Sequence, residues 1–162
     1  MDLSFYSKLL NISDKDVNTD ELIKAVIKTF NEKYNNISDD RMCKVFSHNI
    51  YCFLREKSIN CRKINIKELF QGIDHEFVLC WDFKDNKIIF YLVDYTFNQF
   101  LKSDIGINLK NINAQLYSDL CNCRYSVIDD KSFNQYLKGF KVPNIIMLND
   151  IILEDISRIK KK

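Results

Sequence analysis

Glycine and proline are scarce in this sequence: only three glycines and one proline occur in 162 residues. A glycine-rich loop of the kind that cradles a phosphate or nucleotide is therefore not available. The six cysteines include no CxxC pair and have no regular spacing, which argues against a disulfide-stapled secreted scaffold and favours a reducing compartment. His48 and Cys52 lie one helical turn apart but lack a second ligand pair, so no metal and no cofactor is expected.

A strong excess of charge and a long apolar run are also missing. The formal net charge is +2, from 24 basic and 22 acidic residues, whereas a dedicated nucleic-acid binder carries a clear basic excess on one face. The longest apolar run extends only from Ile88 to Val93, which is too short to span a membrane. The segment from Met1 to Tyr6 has neither a basic region nor an apolar stretch, so no Sec-type signal peptide is expected and a cytoplasmic location is favoured.

The chain does contain enough apolar material for one core, since 46% of its residues are hydrophobic and 13% are aromatic. We expect a single α+β domain with a helical N-terminal part (about 1–57), a sheet (about 61–100) and a helical C-terminal part (about 101–162). The predicted strands of the antiparallel sheet lie near residues 61–66, 75–83 and 87–94. The C-terminal helices are expected to cover an edge or a face of this sheet.

Two amphipathic helices are predicted in the N-terminal part. The first runs from about Thr19 to Tyr34 and the second from about Asp40 to Lys57, because apolar residues recur at three-and-four spacing in both. Cys43 lies at the edge of the apolar face of the second helix. The residues predicted on that face are Met42, Val45, Phe46, Ile50, Phe53 and Leu54.

The position of Cys43 within the second helix depends on which residue caps it. If Asp40 is the N-cap, Cys43 is the third helical residue and its N–H has no partner in the helix; if Ser38 is the N-cap, that N–H is already used. In the first case, the free N–H groups and the positive end of the helix dipole would stabilise a thiolate and later hold an oxyanion.

A β-hairpin is predicted around the polar turn Asp85-Asn86. A two-residue loop places His75 opposite Thr96 and diagonal to Asp94, whereas a four-residue loop places His75 directly opposite Asp94. A three-residue loop would put the two side chains on opposite faces unless a bulge intervened. Two of the three loop lengths therefore predict a contact between His75 and Asp94.

The signals after Phe100 are weaker. Short helices are predicted at residues 113–121 and 130–137, with Gly139 as a C-terminal cap. A last helix is predicted to begin near Asn149 or Asp150 and to end at Lys160. No internal repeat, linker or low-complexity segment interrupts the chain, which agrees with one domain.

Cys43, His75 and Asp94 are the residue types of a cysteine-based catalytic site. In such a site an imidazole activates a thiol, and a carboxylate fixes the tautomer of the imidazole and stabilises its cation. Each residue also has a structural interpretation. Cys43 fits a small buried hydrophobic residue, His75 an ordinary residue at the end of a strand, and Asp94 the first residue of a turn.

Three segments between residues 38 and 101 resemble papain-like and transglutaminase-like cysteine enzymes. The motif Cys43-x-x-x-Ser47, with residues 51–60 after it, resembles their nucleophile helix and its L-x-x-x-G-I exit. The segment His75-Glu76-Phe77-Val78 resembles their histidine strand. The segment Asp94-Tyr95-Thr96-Phe97-Asn98-Gln99-Phe100 resembles the D-P-T-F-x-Q-F segment of papain-fold domains in bacterial toxins, effectors and glutamine deamidases, with Tyr95 in place of the proline.

The resemblance implies a papain-like fold in which Cys43 is the nucleophile, His75 the general base and acid, and Asp94 the orienting group. It implies a thiol hydrolase of bacterial effector or toxin type, cytoplasmic or delivered into a target cell, that attacks an amide carbonyl of a protein or peptide. Glutamine deamidation is favoured over peptide-bond cleavage. The alternatives are acyl or amine transfer by the same triad and a catalytically inactive binding module of the same fold.

Candidate substrate contacts are Trp81, Tyr95 and Gln99, each of which fits core packing equally well. No glutamine lies shortly before the nucleophile to act as a second oxyanion donor. Asn35 or Asn36 is the candidate for that role.

Overall fold

The computed structural model describes residues 18–34 and 42–160 of the chain. These residues form seven α-helices, four β-strands and one 3-10 turn. The helices are α1 (Thr19–Tyr34), α2 (Cys43–Glu56), α3 (Ile66–Phe70), α4 (Asp104–Ile112), α5 (Ala114–Cys123), α6 (Asp130–Gly139) and α7 (Leu148–Lys160). The strands are β1 (Asn60–Asn65), β2 (Glu76–Lys84), β3 (Lys87–Val93) and β4 (Tyr125–Ile128), and the 3-10 turn is Phe97–Phe100.

The four strands form one antiparallel sheet in the order β1-β2-β3-β4. Strands β2 and β3 are joined by the two-residue turn Asp85-Asn86, since Lys84 pairs with Lys87. Both turn residues have a positive φ, 50° and 63°, a conformation that aspartate and asparagine tolerate and that matches the twist of a hairpin. The predicted hairpin is therefore confirmed in its two-residue register.

Helices cover both faces of the sheet, so the described residues form three layers. On one face, Phe77, Leu79, Trp81 and Leu92 join a core cluster with residues of α3 to α7. On the other face, Cys61, Val78, Cys80, Tyr91 and Val93 join a cluster with residues of α1 and α2. Consecutive strand residues alternate between the two clusters because of the pleat. None of the described helices combines the length and apolar character that a bilayer crossing needs.

Both predicted N-terminal helices are present, but α2 begins later than expected. It starts at Cys43, and its N-cap is Met42, whose side chain forms no capping hydrogen bond. Neither Asp40 nor Ser38 is therefore the N-cap of this helix. Val45, which was predicted on the buried face, is 50% exposed. The buried residues of α2 are Phe46, Ser47, Ile50 and Leu54.

The C-terminal part differs most from expectation. It is not helical throughout, because β4 lies within it and pairs with β3 along the sheet edge opposite β1. Helix α4 was not predicted either, whereas α5, α6 and α7 match the predicted helices to within a few residues. Gly139 is the last residue of α6 and does not cap it; the C-cap is Phe140, whose φ of −90° is not left-handed. The C-terminal helices cover a whole face of the sheet.

Candidate active site

The N-terminus of α2 carries Cys43 as its first residue, with a half-buried side chain. The first hydrogen bond that closes a helical turn here runs from Phe46 N–H to Met42 O, at 3.0 Å. The N–H groups of the residues before Phe46 thus have no acceptor inside the helix, and the positive end of the helix dipole lies among them. Such a terminus stabilises negative charge on a sulfur or on a substrate oxygen.

Ser47 fastens this first turn of α2 to the start of β2. It lies one turn after Cys43, and its buried hydroxyl donates a hydrogen bond of 3.1 Å to the carbonyl of Glu76, the residue that follows His75. A second link is the ion pair between Lys44 and Asp74, at 3.7 Å. Both side chains are exposed, so the pair contributes little to stability. Together with the packing of Phe46, Ile50 and Leu54 on the sheet, the Ser47 contact holds the cysteine end of the helix beside the start of β2.

His75 and Asp94 are in direct contact, as the hairpin register predicts. The Nε2 atom of His75 lies 2.9 Å from Oδ2 of Asp94, and the two side chains are 0% and 1% exposed. Their backbones are also anchored: Ile66 N–H donates to the His75 carbonyl at 2.8 Å, and Asp94 N–H donates to the Arg124 carbonyl at 2.9 Å. The residue that follows β1 and the residue that precedes β4 therefore hold the backbone at the two ends of this contact.

A third buried side chain, Tyr136 of α6, also binds Asp94. Its hydroxyl donates to the same Oδ2 atom at 2.7 Å, and the side chain is 1% exposed. The Oδ1 atom of Asp94 is buried and has no partner among the described residues. The sequence holds no signal for Tyr136, because it lies 42 residues after Asp94 and the helical period marks only its burial.

Two aromatic rings enclose the imidazole of His75. The ring of Phe140 is stacked on it, with ring centroids 4.9 Å apart and an interplanar angle of 4°. The ring of Phe100 meets it edge-on, with centroids 4.8 Å apart and an interplanar angle of 89°. Because Nε2 donates its hydrogen to Asp94, the Nδ1 atom is left as the acceptor of the neutral ring. Nδ1 makes no regular hydrogen bond with any described residue, and the thiol of Cys43 is close enough to interact with the imidazole.

The contacts with Asp94 shift the pKa values of both His75 and Tyr136. Burial lowers the pKa of His75, but the charge of Asp94, the hydrogen bond to it and the neighbouring Cys43 sulfur outweigh that effect and raise the pKa to about 9. Burial and the charge of Asp94 raise the pKa of Tyr136 well above its usual value. At neutral pH the site therefore holds a protonated His75 and an un-ionised Tyr136.

Two of the predicted substrate contacts lie in the core instead of a cleft. Trp81 is 2% exposed on the sheet face under the C-terminal helices. Tyr95 is 5% exposed, packs against Phe30 and Phe46, and donates a hydrogen bond of 2.8 Å from its hydroxyl to Asn31. Both rings are thus packing residues that present no surface to a substrate.

The other two predicted substrate contacts are Gln99, which the structure describes, and Asn36, which it does not. Gln99 is half-buried in the 3-10 turn that also carries Phe100, and its Nε2 donates to Thr96 Oγ1 at 3.3 Å. It therefore lies in the segment that covers the imidazole. Asn36, like its neighbour Asn35, lies outside the described residues.

No group of three or more histidine, cysteine, aspartate or glutamate side chains that could hold a metal ion occurs in the described part of the chain. The pair singled out by spacing, His48 and Cys52, does meet, with Nε2 and Sγ 3.5 Å apart. The Nζ atom of Lys63 lies 2.9 Å from the other ring nitrogen of His48. The positive charge of Lys63 beside His48 disfavours the binding of a metal cation to the same imidazole.

No protein-family model, curated protein or solved structure matches this chain. The chemical interpretation of Cys43, His75, Asp94 and Tyr136 therefore depends on their geometry and on the resemblance of the motifs.

Exchanging Tyr136 for phenylalanine is expected to lower the free energy of unfolding by about 1.5–3 kcal/mol, the usual contribution of a hydrogen bond to a charged group. The change removes only the hydroxyl that donates to Asp94 and keeps the packing of the ring. Urea unfolding followed by circular dichroism measures it. Tyr51→Phe, at a partly exposed tyrosine of α2, is the control and should change stability little. Equal stabilities of the two variants would contradict a stabilising role of this hydroxyl.

Proposed function

We propose that this protein is a cysteine hydrolase that attacks an amide carbonyl of a protein or peptide substrate. The observation that carries the proposal is the arrangement around His75: its Nε2 atom lies 2.9 Å from Oδ2 of Asp94, and its Nδ1 atom has no regular hydrogen bond with any described residue. The Cys43 sulfur is near enough to the imidazole to help raise its pKa. This arrangement suits proton transfer between sulfur and Nδ1, with the carboxylate orienting the ring.

The proposed fold family is papain-like or transglutaminase-like. A cysteine at the start of a helix packed on an antiparallel sheet, followed along the chain by a histidine before β2 and an aspartate after β3, supports this assignment. The order Cys43, His75, Asp94 and the motifs around them are the features that the resemblance rests on.

In the acylation step the Cys43 sulfur attacks the carbonyl carbon of the substrate and its proton resides on Nδ1 of His75. The N–H groups in the first turn of α2 stabilise the resulting oxyanion. The tetrahedral intermediate then collapses: the carbon–nitrogen bond breaks, His75 gives its proton to the departing amine, and a thioester to Cys43 remains.

In the second step His75 takes a proton from water, and the hydroxide attacks the thioester. The carbon–sulfur bond breaks, the carboxylic acid product leaves, and the thiol is restored. A primary amine in place of water gives a new amide, which is acyl transfer by the same residues. The relative access of water and amine decides between the two outcomes.

We propose a glutamine side chain as the preferred substrate, with ammonia as the leaving group, ahead of peptide-bond cleavage. The support is the resemblance of the segment from Asp94 to Phe100 to domains of bacterial effectors, toxins and deamidases. We propose a place of action in the cytoplasm, which the irregular spacing of the cysteines supports, or in a target cell after delivery, which the resemblance supports.

A binding module without catalysis is the second candidate, and one observation favours it. The imidazole of His75 has no exposed surface and contacts Asp94, Phe100 and Phe140, while Tyr136 binds Asp94. These are the contacts of a buried polar cluster that stabilises a core. In that case Cys43 would be unreactive, which the labelling experiment in the Discussion measures.

The test is incubation of the full chain with a glutamine-rich protein mixture, with and without a primary amine. Deamidation releases ammonia and converts glutamine to glutamate, proteolysis creates new amino termini, and transfer incorporates the amine; mass spectrometry separates the three. We expect ammonia release that disappears in Cys43→Ala, a variant whose fold is checked by circular dichroism. Activity that survives in Cys43→Ala would overturn the mechanism.

A further inference from the structure

Two buried thiols face each other across the first two strands. Cys61 of β1 and Cys80 of β2 are register partners in a regular antiparallel pair. They are 3% and 0% exposed, and both are free thiols. The proposed nucleophile, Cys43, lies outside this pair, so the chemistry of Cys61 and Cys80 does not depend on the proposed function.

The hydrogen-bond pattern of the ladder determines what kind of pair this is. Ile66 N–H donates to the His75 carbonyl, and these two residues continue the register one step beyond β1. They are therefore a hydrogen-bonded pair, and hydrogen-bonded and non-hydrogen-bonded pairs alternate along an antiparallel ladder. Every second pair back from Ile66 with His75 is therefore hydrogen-bonded, beginning with Ile64 and Phe77. Cys61 with Cys80 is an odd number of steps away, so it is a non-hydrogen-bonded pair.

Non-hydrogen-bonded pairs have the closer Cα atoms, about 4.5 Å apart, with side chains that lean together. A disulfide needs Cα atoms about 4.4–6.8 Å apart and Cβ atoms that face each other. The register of Cys61 and Cys80 meets this requirement without a shift of either strand.

The surroundings agree with a direct contact between the two thiols. Both side chains belong to the core cluster beneath α1 and α2. Burial raises the pKa of the Cys80 thiol well above its usual value, and the adjacent thiol of Cys61 raises it further. Cys61 also donates a weak hydrogen bond to the carbonyl of Tyr51 in α2, with sulfur and oxygen 3.9 Å apart.

We propose that Cys61 and Cys80 are an oxidative modification site that forms an intramolecular disulfide, joining edge strand β1 to β2 beneath α2. With oxidised glutathione as oxidant, one thiolate attacks the glutathione disulfide and releases one reduced glutathione. The second thiolate attacks the mixed disulfide and releases another. Two S–H bonds are lost and one S–S bond forms, while two electrons and two protons leave with the two glutathione molecules.

Burial controls when this reaction occurs. Neither thiol is accessible while α2 covers the sheet, and a buried un-ionised thiol is a poor nucleophile. Oxidation is therefore fast while the chain folds and slow in the native reduced protein. A protein that folds in a reducing compartment keeps both thiols.

The experiment refolds the reduced full chain in a glutathione redox buffer, alkylates the remaining thiols under denaturing conditions and maps the peptides without reduction. Of six thiols, four should remain alkylated, and the two lost ones should be Cys61 and Cys80. Trypsin separates them at Arg62 and Lys67, so the disulfide appears as a cross-linked peptide pair. The oxidised form should also have a higher midpoint of urea unfolding than the reduced form.

The controls use the other cysteines. Cys121 and Cys123, two residues apart in α5, point in different directions and should stay alkylated. Cys43→Ala should keep the disulfide, and Cys80→Ala should leave Cys61 alkylated. Six remaining thiols, a different cross-link, or a lower urea midpoint after oxidation would each overturn the proposal. The peptide map of the wild-type protein tests for the Cys61–Cys80 disulfide by itself, even if a variant folds poorly.

Discussion

Exchanging His75 for alanine slows the alkylation of Cys43 by iodoacetamide near pH 6 by on the order of a hundredfold. An ordinary thiol with a pKa of about 8.5 is only about 0.3% ionised at this pH, and the thiolate is the reacting species. In the proposed mechanism the imidazole of His75 and the N-terminus of α2 stabilise negative charge on the Cys43 sulfur, and this stabilisation speeds its alkylation. The lower nucleophilicity of a stabilised thiolate offsets part of this gain.

The measurement is the rate of label uptake at each cysteine as a function of pH, read by peptide mass spectrometry. Cys52 is the matched control, because it lies on the same helix, is exposed and has its own histidine neighbour, His48. We expect His75→Ala to slow Cys43 alone, and His48→Ala to leave Cys43 unchanged. If Cys43 reacts no faster than Cys52, or reacts only in denaturant, the catalytic interpretation fails and the binding module is the better hypothesis.

Exchanging Asp94 for alanine lowers the free energy of unfolding by about 3–5 kcal/mol at pH 6, the usual cost of removing one partner of a buried ion pair. The change leaves the fully buried His75 without its counter-charge and the hydroxyl of Tyr136 without its acceptor. Urea unfolding at several pH values measures the difference. Asp74→Ala is the control for a half-exposed carboxylate, which pairs with Lys44 at the surface and accepts one hydrogen bond from Asn65. Its loss should cost clearly less than the loss of Asp94.

The sign of the pH dependence follows from the raised pKa of His75. The folded protein binds the imidazole proton up to about pH 9, whereas the unfolded chain releases it near pH 6.5. The stabilisation is therefore complete below about pH 6.5 and is lost as the pH rises through about 9. The penalty of Asp94→Ala should shrink between pH 6 and pH 10. A penalty below about 1 kcal/mol, or one that does not change with pH, would contradict a charged pair.

The same buried pair explains why stability and chemistry must be measured together. Asp94 holds the tautomer of His75 in the proposed mechanism, and it also neutralises a charge in the core. A loss of activity in an Asp94 variant is therefore meaningful only at a urea concentration and pH where the variant is folded. Tyr136→Phe, which keeps both members of the pair, separates the two effects.

Local patterns were enough to predict much of the scaffold. The three-and-four spacing in residues 19–34 and 43–56 marks two helices, because a repeating apolar face is a property of neighbouring residues. The alternation of β2 and β3 around the polar turn Asp85-Asn86 predicts the hairpin, but it left three loop lengths open. The structure selects the two-residue turn, with a positive φ at both Asp85 and Asn86. The two-residue register places His75 diagonal to Asp94 on the same face and so within reach of it. The pairing of Cys61 with Cys80 depends on the register of β1 against β2, which no local pattern predicted.

Tertiary structure alone decided the rest, because it depends on contacts between distant segments. Tyr136 reaches Asp94 only because α6 packs across the sheet, and no local pattern encodes the direction of its hydroxyl. The same packing buries Trp81. Strand alternation shows which face of the sheet Trp81 lies on, but not whether helices cover that face. Strand β4 pairs with the edge of β3, far from it in sequence, and Ser47 of α2 binds the Glu76 carbonyl next to His75. The sequence by itself determined the candidate residues and their hairpin, and the fold decided which of them meet.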